Sequence, residues 1–131
     1  MKIDHVGIAV RCIDEALEVY RDAAGCEPAH RGVVEHEGVE VAMLPAGDSR
    51  IELLQPTSPE SPVARFLDRR GEGMHHLALL VADLDSAIGA LRAAGRVLVG
   101  NGAQVGAEGY RYVFVHPKHA GGVLLELVER S

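Results

Sequence analysis

Residues 3–10, IDHVGIAV, alternate so that Val6, Ile8 and Val10 share one face while His5, Gly7 and Ala9 share the other. That period of two predicts a strand with one bulky apolar face and one face of small residues plus a histidine. From Asp14 the period lengthens: Ile13, Leu17 and Tyr20 recur at i, i+4 and i+7, and Gly25 follows as a helix stop. Three further strand-like runs come next, over residues 29–34, 39–44 and 51–54.

The second half repeats this pattern. Residues 5–25, HVGIAVRCIDEALEVYRDAAG, line up with residues 76–95, HLALLVADLDSAIGALRAAG, with one residue fewer in the second copy. Leu77, Leu79 and Val81 oppose His76, Ala78 and Leu80; Leu84, Ile88 and Leu91 give the helical stripe before Gly95; strand-like runs follow at 97–99, 110–116 and 123–129. Each half therefore reads βαβββ. Between them, residues 55–73 are rich in Pro, Ser and charge, with Ser61 and Pro62 as a capped helix start. A short helix to about Arg70, closed by Gly71, is expected, and Val63, Phe66 and Leu67 give it an apolar side to bury. The expected fold is α+β: two tandem βαβββ modules with curled, mixed sheets around a shared cleft. They would form one domain over residues 1–131, with module 1 over roughly 1–56, the connector over roughly 57–73 and module 2 over roughly 74–131.

Composition narrows the function classes. A chain of 131 residues with 47% apolar residues can bury a real core. The net charge of −6, with acids and bases scattered evenly, supplies no basic patch for nucleic acid. Cys12 and Cys26 form no CxxC pair and read as reduced thiols of a cytoplasmic protein. No apolar run approaches the roughly 20 residues of a membrane span, and Met1 leads directly into a strand-like segment, so neither a membrane partner nor a signal sequence is expected.

Strand parity points to a site. Glu52 lies between Ile51 and Leu53, and Glu126 between Leu125 and Leu127, so each carboxylate leaves its strand opposite the large aliphatics. His5 and His76 do the same, and pairing of the two modules would bring the four groups together. Two carboxylates buried beside two imidazoles have a divalent metal as their natural solution, since an unpaired buried carboxylate must protonate or find a cation. Two nitrogens and two oxygens suit Zn, Co, Ni, Mn or Fe(II). Taken singly, a strand histidine is more often a structural residue; matched recurrence in both modules favours the site. His75 must point to the other side of its strand as a packing or surface residue. His30, His36 and His119 read as solvated loop residues, and His116, at a strand end, stays open.

The segments KIDHVGIAV, GVEVAMLPAGDSRIELLQP, SPVARFLDRRGEGMHHLALLV and VFVHPKHAGGVLLELVE resemble the methylmalonyl-CoA epimerases of the vicinal oxygen chelate, or glyoxalase-like, superfamily. The resemblance covers nearly the whole chain, and GEGxHHxA and HPKxxxGVLLEL carry it most specifically. It implies His5, Glu52, His76 and Glu126 as ligands of one divalent metal ion, Co, Zn, Mn or Ni, with glutamine permitted at position 52. It also implies interconversion of (R)- and (S)-methylmalonyl-CoA, a step in propionyl-CoA metabolism, by a cytoplasmic homodimer whose partner is an acyl-CoA substrate. Such epimerisation wants two bases flanking the α-carbon. Glu40 and Glu126 match the family bases; the alternative for Glu40 is an exposed strand acid like Glu35 and Glu37.

Lys118, Gly121 and Gly122 precede the Glu126 strand, where a cation and free backbone N–H groups would hold a carboxylate or phosphate; a tight solvated turn is the alternative. Arg11-Cys12, where an acid often follows the first strand, and His119, where a small hydroxyl residue is common, depart from the family pattern. Three rivals share the architecture. A glyoxalase I-type lyase has the same ligand set but carries basic residues near its first strand, where this chain has Ala9 and Val10. Extradiol dioxygenases use two His and one carboxylate, and metal-free small-molecule-binding modules lack the ligands.

Overall fold

The computed structural model describes residues 1–106 and 109–130. Among the described residues, eight strands and three α-helices follow one another as β1 (Lys2–Ala9), α1 (Ile13–Ala24), β2 (His30–Val34), β3 (Val39–Ala46), β4 (Ser49–Pro56), α2 (Pro62–Arg70), β5 (Gly73–Leu80), α3 (Leu84–Ala93), β6 (Leu98–Val105), β7 (Arg111–Val115) and β8 (Leu125–Glu129). Two βαβββ modules joined by a helical connector are thus present, as the periodicities predict. Contacts divide the chain into two compact units, His5–His75 and His76–Ser131 together with Met1–Asp4.

In the first unit the strand order is β2-β3-β4-β1, with β1 parallel to β4 and the other pairs antiparallel. One face is covered by α1: Ile13 and Leu17 pack with Val10, Ala42, Leu44 and Leu53. Fully burying an aliphatic side chain of this kind contributes about 1.5–3 kcal/mol, which is what an amphipathic helix needs to stay seated. The helix ends at Gly25, whose φ of 62° is readily adopted only without a Cβ. Its start has no side-chain cap of its own. Instead Gln55, on β4, accepts the Ile13 N–H at 2.9 Å. The opposite face carries Ala9, Val39 and Leu54 under Val63 and Leu67 of α2. Ser61 caps α2 by accepting the Ala64 N–H at 3.2 Å, and Gly38, at φ 64°, lets the β2–β3 turn approach it; a Cβ there would lie 3.0 Å from that of Ser61.

The second unit repeats the plan with the order β5-β8-β7-β6, β5 parallel to β8. Leu84 and Ile88 of α3 pack with Val113 and Leu127 on one face. Asp83 caps α3 through the Ser86 N–H at 3.0 Å, and Glu129, the counterpart of Gln55, accepts the Leu84 N–H at 3.0 Å. On the opposite face Tyr110, Tyr112 and Phe114 form a ladder with ring centroids 5.6 and 5.7 Å apart, packed with Ala78 and Val128. β6 extends further than its sequence suggests, from Leu98 to Val105, through a register shift between Val99 and Gln104 where Gly100 and Gly102 take positive φ. None of the described helices is long and apolar enough to cross a membrane.

Candidate functional site

Each unit buries one histidine–glutamate pair. In the first, His5 of β1 and Glu52 of β4 face the same way, because parallel pairing sets Gly7, two residues after His5, beside Glu52. His5 Nδ1 lies 3.3 Å from Glu52 Oε2. In the second, Ala78, two residues after His76, pairs with Glu126, and His76 Nε2 lies 3.2 Å from Glu126 Oε1. All four residues are at most 7% exposed. Phe114 sits directly across from Glu126 on β7 and meets the His76 ring edge-on at 5.5 Å, fixing its plane.

Those two separations bear on metal binding. A charge-assisted hydrogen bond between imidazolium and carboxylate closes to about 2.7–2.9 Å. Two donor atoms about 2.1 Å from one ion, at angles between 90° and tetrahedral, stand about 3.0–3.4 Å apart. Both pairs stand at separations that two ligands of one ion would have. The donor types, imidazole nitrogen and carboxylate oxygen, suit a divalent cation of borderline softness, so the residues present fit such a group.

Glu40 is placed elsewhere. Antiparallel register puts it opposite Gln55, Ala42 opposite Leu53 and Leu44 opposite Ile51, all on the face that α1 covers, while Val41 and Met43 share the face of Glu52. Its carboxylate accepts a 2.8 Å hydrogen bond from Arg31 Nε, and Arg31 reaches Asp14 on α1 as well. The second unit holds the matching cluster: Arg111 joins Glu129 at 3.2 Å and Asp85 on α3 at 2.8 Å. By register Glu40 and Arg111 are equivalent positions, opposite Gln55 and Glu129 respectively. Glu40 is therefore part of a strand-to-helix clasp on the far side of the sheet from His5 and Glu52, which corrects its expected place beside the reacting centre. Arg31 is held firmly protonated by these two carboxylates, and Asp14 is lowered first by the hydrogen bond from Arg31 and then by its charge.

The loop before β8 also differs from expectation. The N–H groups of Ala120 and Gly122 donate to the Pro117 carbonyl, that of His119 to the His116 carbonyl, that of Val123 to the Ala120 carbonyl and that of Lys118 to His116 Nδ1. The turn uses these donors internally, Gly122 N–H among them, and the Lys118 side chain is exposed. His116 thereby caps a short turn, while His75 packs its ring edge-on against Phe66 at 5.0 Å. The aromatic ladder, legible as alternating Tyr110, Tyr112 and Phe114, and Met43 across from Glu52 are further neighbours of the two pairs.

A βαβββ module repeated twice, with one buried His–Glu pair per module, is the arrangement of glyoxalase-like proteins, and residues 4–114 match the glyoxalase/bleomycin resistance protein/dioxygenase superfamily. The chain is 35% identical to an ethylmalonyl-CoA/methylmalonyl-CoA epimerase of Cereibacter sphaeroides, over 96% of both sequences. Among solved structures it is similar to methylmalonyl-CoA epimerase from Mycobacterium tuberculosis, at 43% identity and a TM-score of 0.92 over 98% of this chain and 87% of that one. It is likewise similar to a variant of Streptomyces coelicolor methylmalonyl-CoA epimerase in complex with 2-nitronate-propionyl-CoA, at 39% identity and a TM-score of 0.93 over 100% and 98%. The chain belongs to this superfamily and, within it, to the methylmalonyl-CoA epimerase branch.

Proposed function

We propose that this protein interconverts (R)- and (S)-methylmalonyl-CoA by moving the α-proton from one face of the carbon to the other. The observation that carries the reading is the recurrence of a buried His–Glu pair at equivalent strand positions in a chain of the epimerase branch. In this reading residues 1–131 work as one domain, in a homodimer, and His5, Glu52, His76 and Glu126 hold one divalent cation. When bound, that ion would draw off the negative charge that develops on the thioester and carboxylate oxygens as the α-proton leaves.

The chain's own groups do the rest. Glu126 takes or returns the α-proton with a carboxylate oxygen, and Phe114 and the strand pairing of β8 hold it in place. Glu40, whose side chain leaves β3 toward α1, is bonded to Arg31 on the face opposite Glu52. On the His5 face of the first unit the strands β1, β3 and β4 present His5, Gly7 and Ala9, then Val39, Val41 and Met43, then Arg50, Glu52 and Leu54. Glu52 is the carboxylate among these strand positions, and we assign it to the cation rather than to proton transfer, since glutamine is permitted there. Lys118 supplies a charge for an anionic part of the acyl-CoA.

Incubation with (R)-methylmalonyl-CoA in deuterated water tests the activity. Deuterium is expected at the α-carbon together with the (S) form. Absence of exchange, combined with turnover of the glutathione hemithioacetal of methylglyoxal, would instead identify a glyoxalase I-type lyase.

A further inference from the structure

We infer that Met43 is a specificity-determining residue that sets the room for the alkyl substituent on the substrate's α-carbon; this deepens the proposed epimerase reading and rests on it. Register places Met43 directly across from Glu52 on the adjacent strand, on the same face. Side chains so paired have Cβ atoms about 4.5–5.5 Å apart, so Met43 is an immediate neighbour of that carboxylate. Its equivalent in the second unit is Phe114, directly across from Glu126.

The two positions differ in kind. Phe114 is held edge-on by His76 at 5.5 Å and by Tyr112 at 5.7 Å. Moving it would tilt a proposed metal ligand. Met43 is unbranched, and its ladder neighbours Val41 and Val39 are aliphatic. A thioether with three rotatable bonds refills irregular space at low cost.

Exposure makes the same distinction between groups that hold the site and a group that meets a ligand. His5, Glu52, Ala42, Leu44, Leu53 and Leu54 are all buried, whereas Met43 and Val41 are half-buried. Next to a sunken pair of polar ligands, the apolar surface still accessible on this face of β3 is the side chains of Val41, Met43 and Pro45. The substrate must bring an alkyl group close to these buried ligands, and an apolar wall is what receives it. Met43, directly across from Glu52, is the nearest of the three to it.

The test compares α-deuterium exchange of methylmalonyl-CoA and ethylmalonyl-CoA by the wild type and by Met43→Ala, Met43→Leu and Met43→Phe, with thermal melts to confirm folding. One methylene in a fitted pocket changes kcat/KM by about 10- to 200-fold. Met43→Ala is expected to raise the ethylmalonyl-to-methylmalonyl ratio by about tenfold or more, and Met43→Phe to lower it, with Met43→Leu near the wild type. A ratio that stays within about twofold across folded variants, while the wild type exchanges methylmalonyl-CoA, would overturn the role of Met43 alone. A wild type that exchanges neither substrate would overturn the epimerase reading, and this inference with it.

Discussion

Arg31 Nε donates to the Glu40 carboxylate at 2.8 Å on the face of the first sheet that α1 covers, away from His5 and Glu52. The bond gives the acid at the start of β3 a partner of its own on that face. With Asp14 it ties strands β2 and β3 to the first turn of α1, as Arg111 ties Asp85 and Glu129 in the second unit.

Glu40→Ala therefore removes one arm of a surface clasp. The Arg31 and Glu40 side chains are 34% and 28% exposed, so the expected loss of stability is at most about 1 kcal/mol, measured by urea unfolding. Exchange activity is expected to stay within about threefold of the wild type, a change of under 1 kcal/mol in barrier.

The same residue shows how far a sequence carries. Parity placed His5 with Glu52 and His76 with Glu126 correctly, because alternation is a property of any strand and the bulky aliphatics beside them mark the covered face. Alternation puts Glu40 on one face with Ala42 and Leu44, yet the letters do not say that these two pack under Ile13 and Leu17 of α1. Its equivalence to Arg111 needs the β3–β4 and β7–β8 registers, which no single-strand pattern contains. Around Gly121 and Gly122 the glycines announce a turn, but which N–H groups that turn consumes depends on its closure onto Pro117 and His116. The apolar run legible in the sequence ends at Val99, whereas β6 continues past Gly100 and Gly102 through a bulge.

Metal removal is expected to destabilise the protein. Anything that binds the folded state alone stabilises it by RT ln(1 + [L]/Kd), about 2.7 kcal/mol at a hundredfold excess over Kd. Thermal melts with and without a chelator should show a lower midpoint after chelation, restored by Co(II) or Zn(II). His76→Ala should abolish that response, and metal analysis of the purified variant should show the loss directly.

Ser61→Ala is expected to cost about 1 kcal/mol by removing the cap of α2, the helix that covers Ala9, Val39 and Leu54. Chemical denaturation reads this as a lower midpoint at unchanged slope. Ser61→Asp should retain most of the stability, since Asp caps as well as Ser.

Acid sensitivity should come partly from three lowered carboxyls. Asp14 is lowered by Arg31, Asp83 by the Ser86 N–H and then its hydroxyl, and Asp85 by Arg111. A carboxyl lower in the folded than in the unfolded chain adds stability that is complete above its unfolded value and lost as pH falls through its folded one. Denaturation midpoints should thus drop below about pH 4, the unfolded carboxylate range. Asp83→Asn keeps a capping side chain but removes the titration, so its midpoint should fall less steeply over that range than that of the wild type.

The placement of the proton-transferring carboxylate is tested most directly by α-hydrogen exchange of (R)-methylmalonyl-CoA in deuterated water, followed by mass spectrometry for the wild type, Glu126→Ala and Glu40→Ala. The wild type and Glu40→Ala should exchange at comparable rates, while Glu126→Ala should fall by about a hundredfold or more. Loss of exchange in Glu40→Ala with its retention in Glu126→Ala would contradict the account, because a side chain clasped to Arg31 on the α1 face would then be moving the proton.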